Sequence, residues 1–164
     1  MEKKKREYYT PTVAIDDIYP FTKDFKNVWE FACGDKHITK YYKKHGHKVI
    51  SSDISMGDKY DFHTYRPKTD YDIIISAPPF TKRAATLETL YKIGKPFAML
   101  MATNTLESAP CRRLFLEHGI NVVMPRKRIH WIFSDDPEGF TNAFYGSAWF
   151  CWKVPTVPKG ITFL

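Results

Sequence analysis

Val28-Trp29-Glu30-Phe31-Ala32-Cys33-Gly34-Asp35 decides how this sequence is read. Val28 to Ala32 is short and mostly apolar, as a buried strand is. It runs into a turn at Cys33-Gly34-Asp35. A helix is expected from about Lys36 to His45, with Ile38, Tyr41 and Tyr42 as its apolar face and Gly46 as its stop. A strand, a tight glycine turn and a helix form a corner where ligand can approach the backbone and meet free N–H groups. Lys48 to Asp53 is the next strand. An acid about 20 residues beyond such a glycine, at a strand end, can hold both hydroxyls of a ribose. Asp53 stands there.

Working outward, strands and helices alternate, which predicts a parallel sheet covered by helices. Thr10-Pro11 reads as a helix start, Thr as N-cap and Pro at the first helical position, with the helix ending near Pro20. Tyr71 to Ser76, centred on Ile73-Ile74-Ile75, reads as a central strand buried on both faces. Further helices are expected over 83–93, ending at Gly94, and over 108–118, capped by Ser108 and stopped by Gly119. Further strands are expected over 96–102, 120–124 and 148–154. Lys127 to Phe133 alternates, with Ile129, Trp131 and Phe133 on one face. Ser134 to Gly146 is polar and reads as a mobile loop, and the tail from Pro155 as irregular. The expected architecture is one α/β domain of Rossmann-like type, with a mostly parallel seven-stranded sheet, an N-terminal arm over 1–9 and an irregular tail over 155–164.

The chain has 164 residues, enough for one core. Its net charge of +7 raises the local concentration of polyanions, and nucleic acid is the simplest such partner. Aromatic residues at 16% can fill a core or stack on bases. Cys33, Cys111 and Cys151 lack metal-ligand spacing, so no metal is expected, and their odd number and wide separation fit a reducing compartment. No apolar stretch approaches a membrane span, and Lys3 to Arg6 lack an apolar segment behind them. The expectation is a cytoplasmic protein with no membrane partner. Lys3 to Arg6 read as a solvated tail.

Two details favour S-adenosylmethionine (SAM) over a dinucleotide. There is no G-x-G-x-x-G, which a pyrophosphate needs for close backbone approach. Glu30 and Asp35 crowd the turn, and carboxylates suit a sulfonium and an ammonium but repel phosphate. Asp61-Phe62 adds an acceptor for an adenine amine beside an aromatic face. The run Glu30-Phe31-Ala32-Cys33-Gly34-Asp35 resembles the E-P-A-C-G-x-G motif of SAM-dependent DNA adenine N6-methyltransferases, small phage-type enzymes above all. Tyr9-Thr10-Pro11 is similar to their upstream motif, Asp53 to their ribose acid, and Asp61-Phe62 to their adenine-contacting pair. The resemblance implies a class I methyltransferase fold. It also implies SAM as cofactor, S-adenosylhomocysteine as product, and a cofactor set of Tyr9, Thr10, Pro11, Glu30, Ala32, Cys33, Gly34, Asp53, Ile54, Asp61, Phe62 and Ser76. Two positions depart from the motif: Phe31 replaces Pro, and Lys36 replaces Gly.

The fourth strand of that family ends in [D/N/S]-P-P-[Y/F/W]. An exocyclic amine conjugated to a purine is a poor nucleophile. A side-chain acceptor and the first Pro carbonyl bind its N–H groups and aim its lone pair, while the aromatic stacks on a base flipped from the helix. Here the residues are Ala77-Pro78-Pro79-Phe80, so the resemblance places the catalytic element at these four positions with the acceptor missing. Losing such a contact costs on the order of 2–4 kcal/mol, roughly 100- to 1,000-fold in rate. Three readings stay open: an Asn or Asp replaced to block turnover, a degenerate enzyme that binds without reacting, or Ser76 shifting to supply the acceptor.

Pro125 to Trp131 mixes basic and aromatic residues. Arg126, Lys127 and Arg128 are candidate phosphate contacts, and Trp131 reads as core. Tyr145-Gly146-Ser147 are candidates for the pocket edge. The expected activity is N6-adenine methylation of DNA, inactivation at Ala77 staying open. The rivals are a SAM- or nucleic-acid-binding pseudoenzyme, and a methyltransferase for RNA or a protein amide. A catalytic core of this length leaves little room for a target-recognition domain. Strong sequence specificity then calls for a partner, a homodimer, or the 134–146 loop.

Overall fold

Ile73, Ile74 and Ile75 are all fully buried, because side chains alternate along a strand and both sheet faces are covered. Ile73 and Ile75 pack into one core cluster and Ile74 into the other. A computed structural model describes residues 8–133, 136–141 and 145–164, with backbone alone at 133 and 136–141. The basic run Lys3 to Arg6 lies outside the described residues, as do 134, 135 and 142–144 of the expected loop.

The main sheet has seven strands: β2 (Asn27–Glu30), β3 (Lys48–Ser51), β4 (Ile73–Ser76), β5 (Phe97–Ala102), β6 (Asn121–Met124), β9 (Ser147–Trp152) and β10 (Ile161–Phe163). Their order is β10-β6-β9-β5-β4-β2-β3. Neighbours run parallel except at β9, which is antiparallel to both β5 and β6. Helices α1 (Thr12–Thr22) and α2 (His37–Lys44) cover one face, burying Ala14, Ile15, Ile18, Ile38 and Tyr42. Helices α3 (Arg83–Ile93) and α4 (Ala109–His118) cover the other through Leu87, Leu90, Tyr91, Cys111 and Leu114. The chain runs from β2 outward to β3, then returns to place β4 on the other side of β2. The strand order therefore reverses between β2 and β4. Such a switch point opens a crevice at the carboxyl ends of the strands, where ligands of open α/β sheets bind.

A smaller sheet, ordered β1-β7-β8, is formed by β1 (Tyr8–Tyr9), β7 (Trp131–Phe133) and β8 (Asp136–Thr141), with antiparallel pairing. It corrects two expectations. The strand expected over 127–133 is confined to its last three residues. Residues 136–141, expected as loop, are a strand, because backbone pairing with β7 defines it although Asp136-Pro137-Glu138-Gly139 carries no apolar alternation. A third correction falls in the tail. Gly160, with φ +88°, turns the chain so that Ile161–Phe163 adds to β6, and 155–164 is not irregular throughout. Helix α1 starts at Thr12, with Pro11 at the cap position, and continues through Pro20 to Thr22. Ser108 precedes α4 without a side-chain cap bond.

Candidate cofactor corner and substrate loop

The loops leaving β2, β3 and β4 meet at the switch point and are tied together. Gly34 has φ +43°, the left-handed region that favours glycine. Its N–H donates to Asp53 Oδ2 at 3.0 Å, and Asp53 Oδ1 accepts from Ser55 N–H at 2.9 Å. Cys33 N–H donates to the Ser52 carbonyl at 3.2 Å. Ser76, at the end of β4, is fully buried, and its Oγ accepts from Ala32 N–H at 3.2 Å. One hydrogen-bonded corner thus joins three strand ends.

Tyr9 closes the corner from above. A Cβ at Gly34 would lie 3.7 Å from Tyr9 Cε1, and the Tyr9 ring stacks on His37 at 5.2 Å and 14°. Thr10 and Pro11 behind it are buried and lead into α1. Asp53 is half-buried, and Ile54 beside it is 60% exposed, an apolar surface next to the acid.

Several candidates take other duties. Glu30 is 2% exposed and turned inward. Its Oε2 accepts from Thr39 N–H at 2.8 Å and from Thr39 Oγ1, locking the first turn of α2 to the end of β2. Burial pushes its carboxyl up to about 8, against the opposing pull of the Thr39 hydrogen bonds. Burial likewise raises the Cys33 thiol to about 11, so Cys33 is packing rather than a nucleophile. Phe62 is 7% exposed and stacks face to face on Phe31 at 3.6 Å, so Phe31 covers the ring proposed to face adenine. Asp61 Oδ1 accepts from His63 N–H at 2.9 Å. Lys36 adopts φ 64°, ψ 36° at the start of α2. The motif's usual glycine fits that conformation without the Cβ clash a lysine carries.

In the loop after β4, Pro78 is buried, Pro79 exposed and Phe80 half-buried. Phe80 sits edge-on to Trp131 at 5.6 Å and 78°. Trp131 is core, with its Nε1–H donating to Ser147 Oγ at 3.3 Å. Ala77 packs half-buried against the same cluster. The Ser76 hydroxyl points to the β2 loop, so the structure gives no support to the reading in which Ser76 replaces the missing acceptor. Arg126, Lys127 and Arg128 are all exposed, and Arg126 is also held by Asp17 (Nε to Oδ1 3.1 Å, and backbone N–H to Oδ2 3.2 Å). Burial raises the Asp17 carboxyl despite that partner. Ser147 is buried, the Gly146 carbonyl accepts from Thr103 N–H at 2.8 Å, and Tyr145 is exposed.

The sequence reading missed Thr39, His37 and Asp17. The first two lie on α2 and face the corner. Asp17 carried no signal, since its partner is 109 residues away.

No protein-family model and no curated protein matches the chain. Among solved structures it resembles one from Listeria monocytogenes assigned as a class I SAM-dependent methyltransferase. The TM-score is 0.52 and the identity 12%, over 94% of this chain and 64% of that one. The chain thus spans less than two thirds of that protein's length. A second, from Agrobacterium tumefaciens and described as a predicted O-methyltransferase, matches at TM-score 0.36 and 11% identity over 84% of this chain and 77% of that one, too weakly to carry an argument. At this identity the Listeria likeness establishes the fold: the chain has the Rossmann-like α/β fold of class I methyltransferases.

Proposed function

We propose that this chain is a SAM-dependent methyltransferase for the exocyclic N6 amine of adenine in DNA, slowed or halted by Ala77. The observation that carries the reading is the corner at the switch point, where the Gly34 turn, Asp53 and the Ala77–Phe80 loop meet. Its donor set fits the cofactor at two ends. The carboxylate of Asp53 suits a ribose diol, and the Gly34 turn, closed by Tyr9 with Thr10 and Pro11 behind it, would take the methionine end. Ile54 supplies an apolar surface for the adenine, since Phe62 is covered by Phe31. When bound, SAM supplies an electrophilic methyl group on a sulfonium.

The chain's own residues position the acceptor. Phe80 stacks on the target base, and the Pro78 carbonyl accepts one N–H of its amine. In the related motif a side chain at position 77 accepts the other. Ala77 leaves it unheld, so the amine keeps its conjugation with the ring and attacks slowly. Lys127 and Arg128 contact phosphate.

The test is a calorimetric SAM titration followed by mass analysis of DNA and RNA after incubation. Wild type should bind SAM, and Asp53→Asn should weaken binding at least about tenfold, by loss of charge-assisted hydrogen bonds. Ala77→Asn should raise DNA methylation by roughly 100-fold or more. Failure of wild type to bind SAM overturns the reading. SAM binding without methylation by Ala77→Asn selects the pseudoenzyme reading.

A further inference from the structure

An acid-free, lysine-rich stretch is centred on α2. From Lys36 to Ser52 the sequence holds five lysines (36, 40, 43, 44 and 48), three histidines and no Asp or Glu. Ile38, Thr39 and Tyr42 turn α2 inward, which leaves Lys36, Lys40, Lys43 and Lys44 exposed. Among the described residues none of these lysines is ion-paired to a carboxylate. The helix dipole accounts for cations in the last turn, at Lys43 and Lys44, but disfavours them at Lys36 and in the first turn. Helix stability therefore explains half of this stripe and opposes the rest.

We propose that the exposed face of α2 docks the phosphate backbone of duplex DNA. Lys40, Lys43 and Lys44 lie exposed on α2 and Lys36 immediately precedes it, so the lysines extend over about 12 Å along the helix axis. Measured along the duplex axis, that length corresponds to roughly three to four phosphates of one strand at a rise of about 3.4 Å each. The groove beside it, between α1 and α2, is lined by Lys40, Lys44, His37, His45, Tyr41 and one acid, Asp16. Asp16 is engaged, its Oδ1 accepting from the Tyr41 hydroxyl at 2.7 Å. No exposed large apolar side chain lies on α2, so it lacks the surface that an interfacial helix buries in lipid. Ile38 and Tyr42 of α2 belong to the same core cluster against which Phe80 packs. DNA held on α2 thus lies on the sheet face that carries Phe80. The choice of DNA as the target rests on the methyltransferase reading; the phosphate-binding surface does not.

The test measures binding of a labelled DNA duplex of arbitrary sequence as a function of salt. Lys40→Gln, Lys43→Gln and Lys44→Gln combined should weaken binding at least about tenfold near 100 mM salt. The triple change should also reduce the log–log salt slope by about 2.7, at roughly 0.9 per phosphate contact. Lys59→Gln, Lys68→Gln and Lys159→Gln combined remove the same charge from other exposed positions and should change binding less than about threefold. Circular dichroism checks that both variants fold. Unchanged binding by the α2 variant, or equal loss in the control, overturns the proposal. So does tighter binding through the same lysines to phosphatidylserine-containing vesicles, or to an RNA duplex of the same sequence. SAM titrations of the same samples separate the two ideas. A chain that binds DNA through α2 but not SAM sinks the methyltransferase reading alone, and the reverse sinks the α2 surface alone.

Discussion

Glu30 holds the end of β2 to the start of α2 through Thr39, and its environment decides its charge. In the unfolded chain the carboxyl ionises near its ordinary 4.5, whereas burial in the folded chain raises it to about 8. Between these values the folded state holds a proton that the unfolded state has lost. The stability this group contributes is therefore complete below about pH 4.5 and declines as pH rises through about 8. Glu30→Gln keeps the shape and an acceptor for Thr39 without the titration. Urea midpoints from pH 5 to 9 should fall more steeply for wild type than for this variant, and parallel curves would refute the assignment. Lys36 shows the complementary case. Lysine in place of the resembled motif's glycine was visible in the sequence as a departure, but its consequence, a lysine in the left-handed region, is a backbone fact.

At the level of elements, a long-range bond joins α1 to the sheet: Trp149 Nε1–H donates to the Ala14 carbonyl at 2.9 Å. Both residues are fully buried. Trp149→Phe removes the donor and part of the ring, which should destabilise by about 2–4 kcal/mol, read as a lower denaturant midpoint with an unchanged m-value. The elements built from local signals were legible in the sequence. α3 spans Arg83–Ile93 as expected, because Gly94 at φ +75° ends it, and β4 and β5 follow continuous apolar runs. β8 was not legible, because a strand defined by its partner's backbone needs no apolar alternation of its own. β10 was missed for a related reason, being three residues long at a sheet edge and largely exposed.

Across the whole molecule, a cofactor bound only by the folded chain should stabilise it by mass action. SAM at about 100 times its dissociation constant adds about 2.7 kcal/mol. For a chain of this size that amounts to roughly 5–10 °C in Tm. Wild type should show this shift in a thermal melt, and Asp53→Asn, binding at least about tenfold more weakly, should show no more than about half of it at the same concentration. An absent shift in wild type would count against the cofactor assignment. No helix among the described residues is long and apolar enough to cross a membrane.

The strand–turn–helix corner could be read from residue order, because glycine turns, apolar runs and an acid at a strand end are local constraints, and Ala77 stood out against the motif that its loop resembles, whereas the reversal of strand order came only from the sheet topology. What each candidate side chain does depended on residues far along the chain. Glu30 is claimed by Thr39, Phe62 by Phe31, Ser76 by the Ala32 backbone and Arg126 by Asp17. A buried polar or aromatic group must find a partner, and only the folded arrangement brings that partner within reach. The fold followed from patterns within each segment, whereas the division of side chains between holding the corner and facing a ligand was settled by packing between segments.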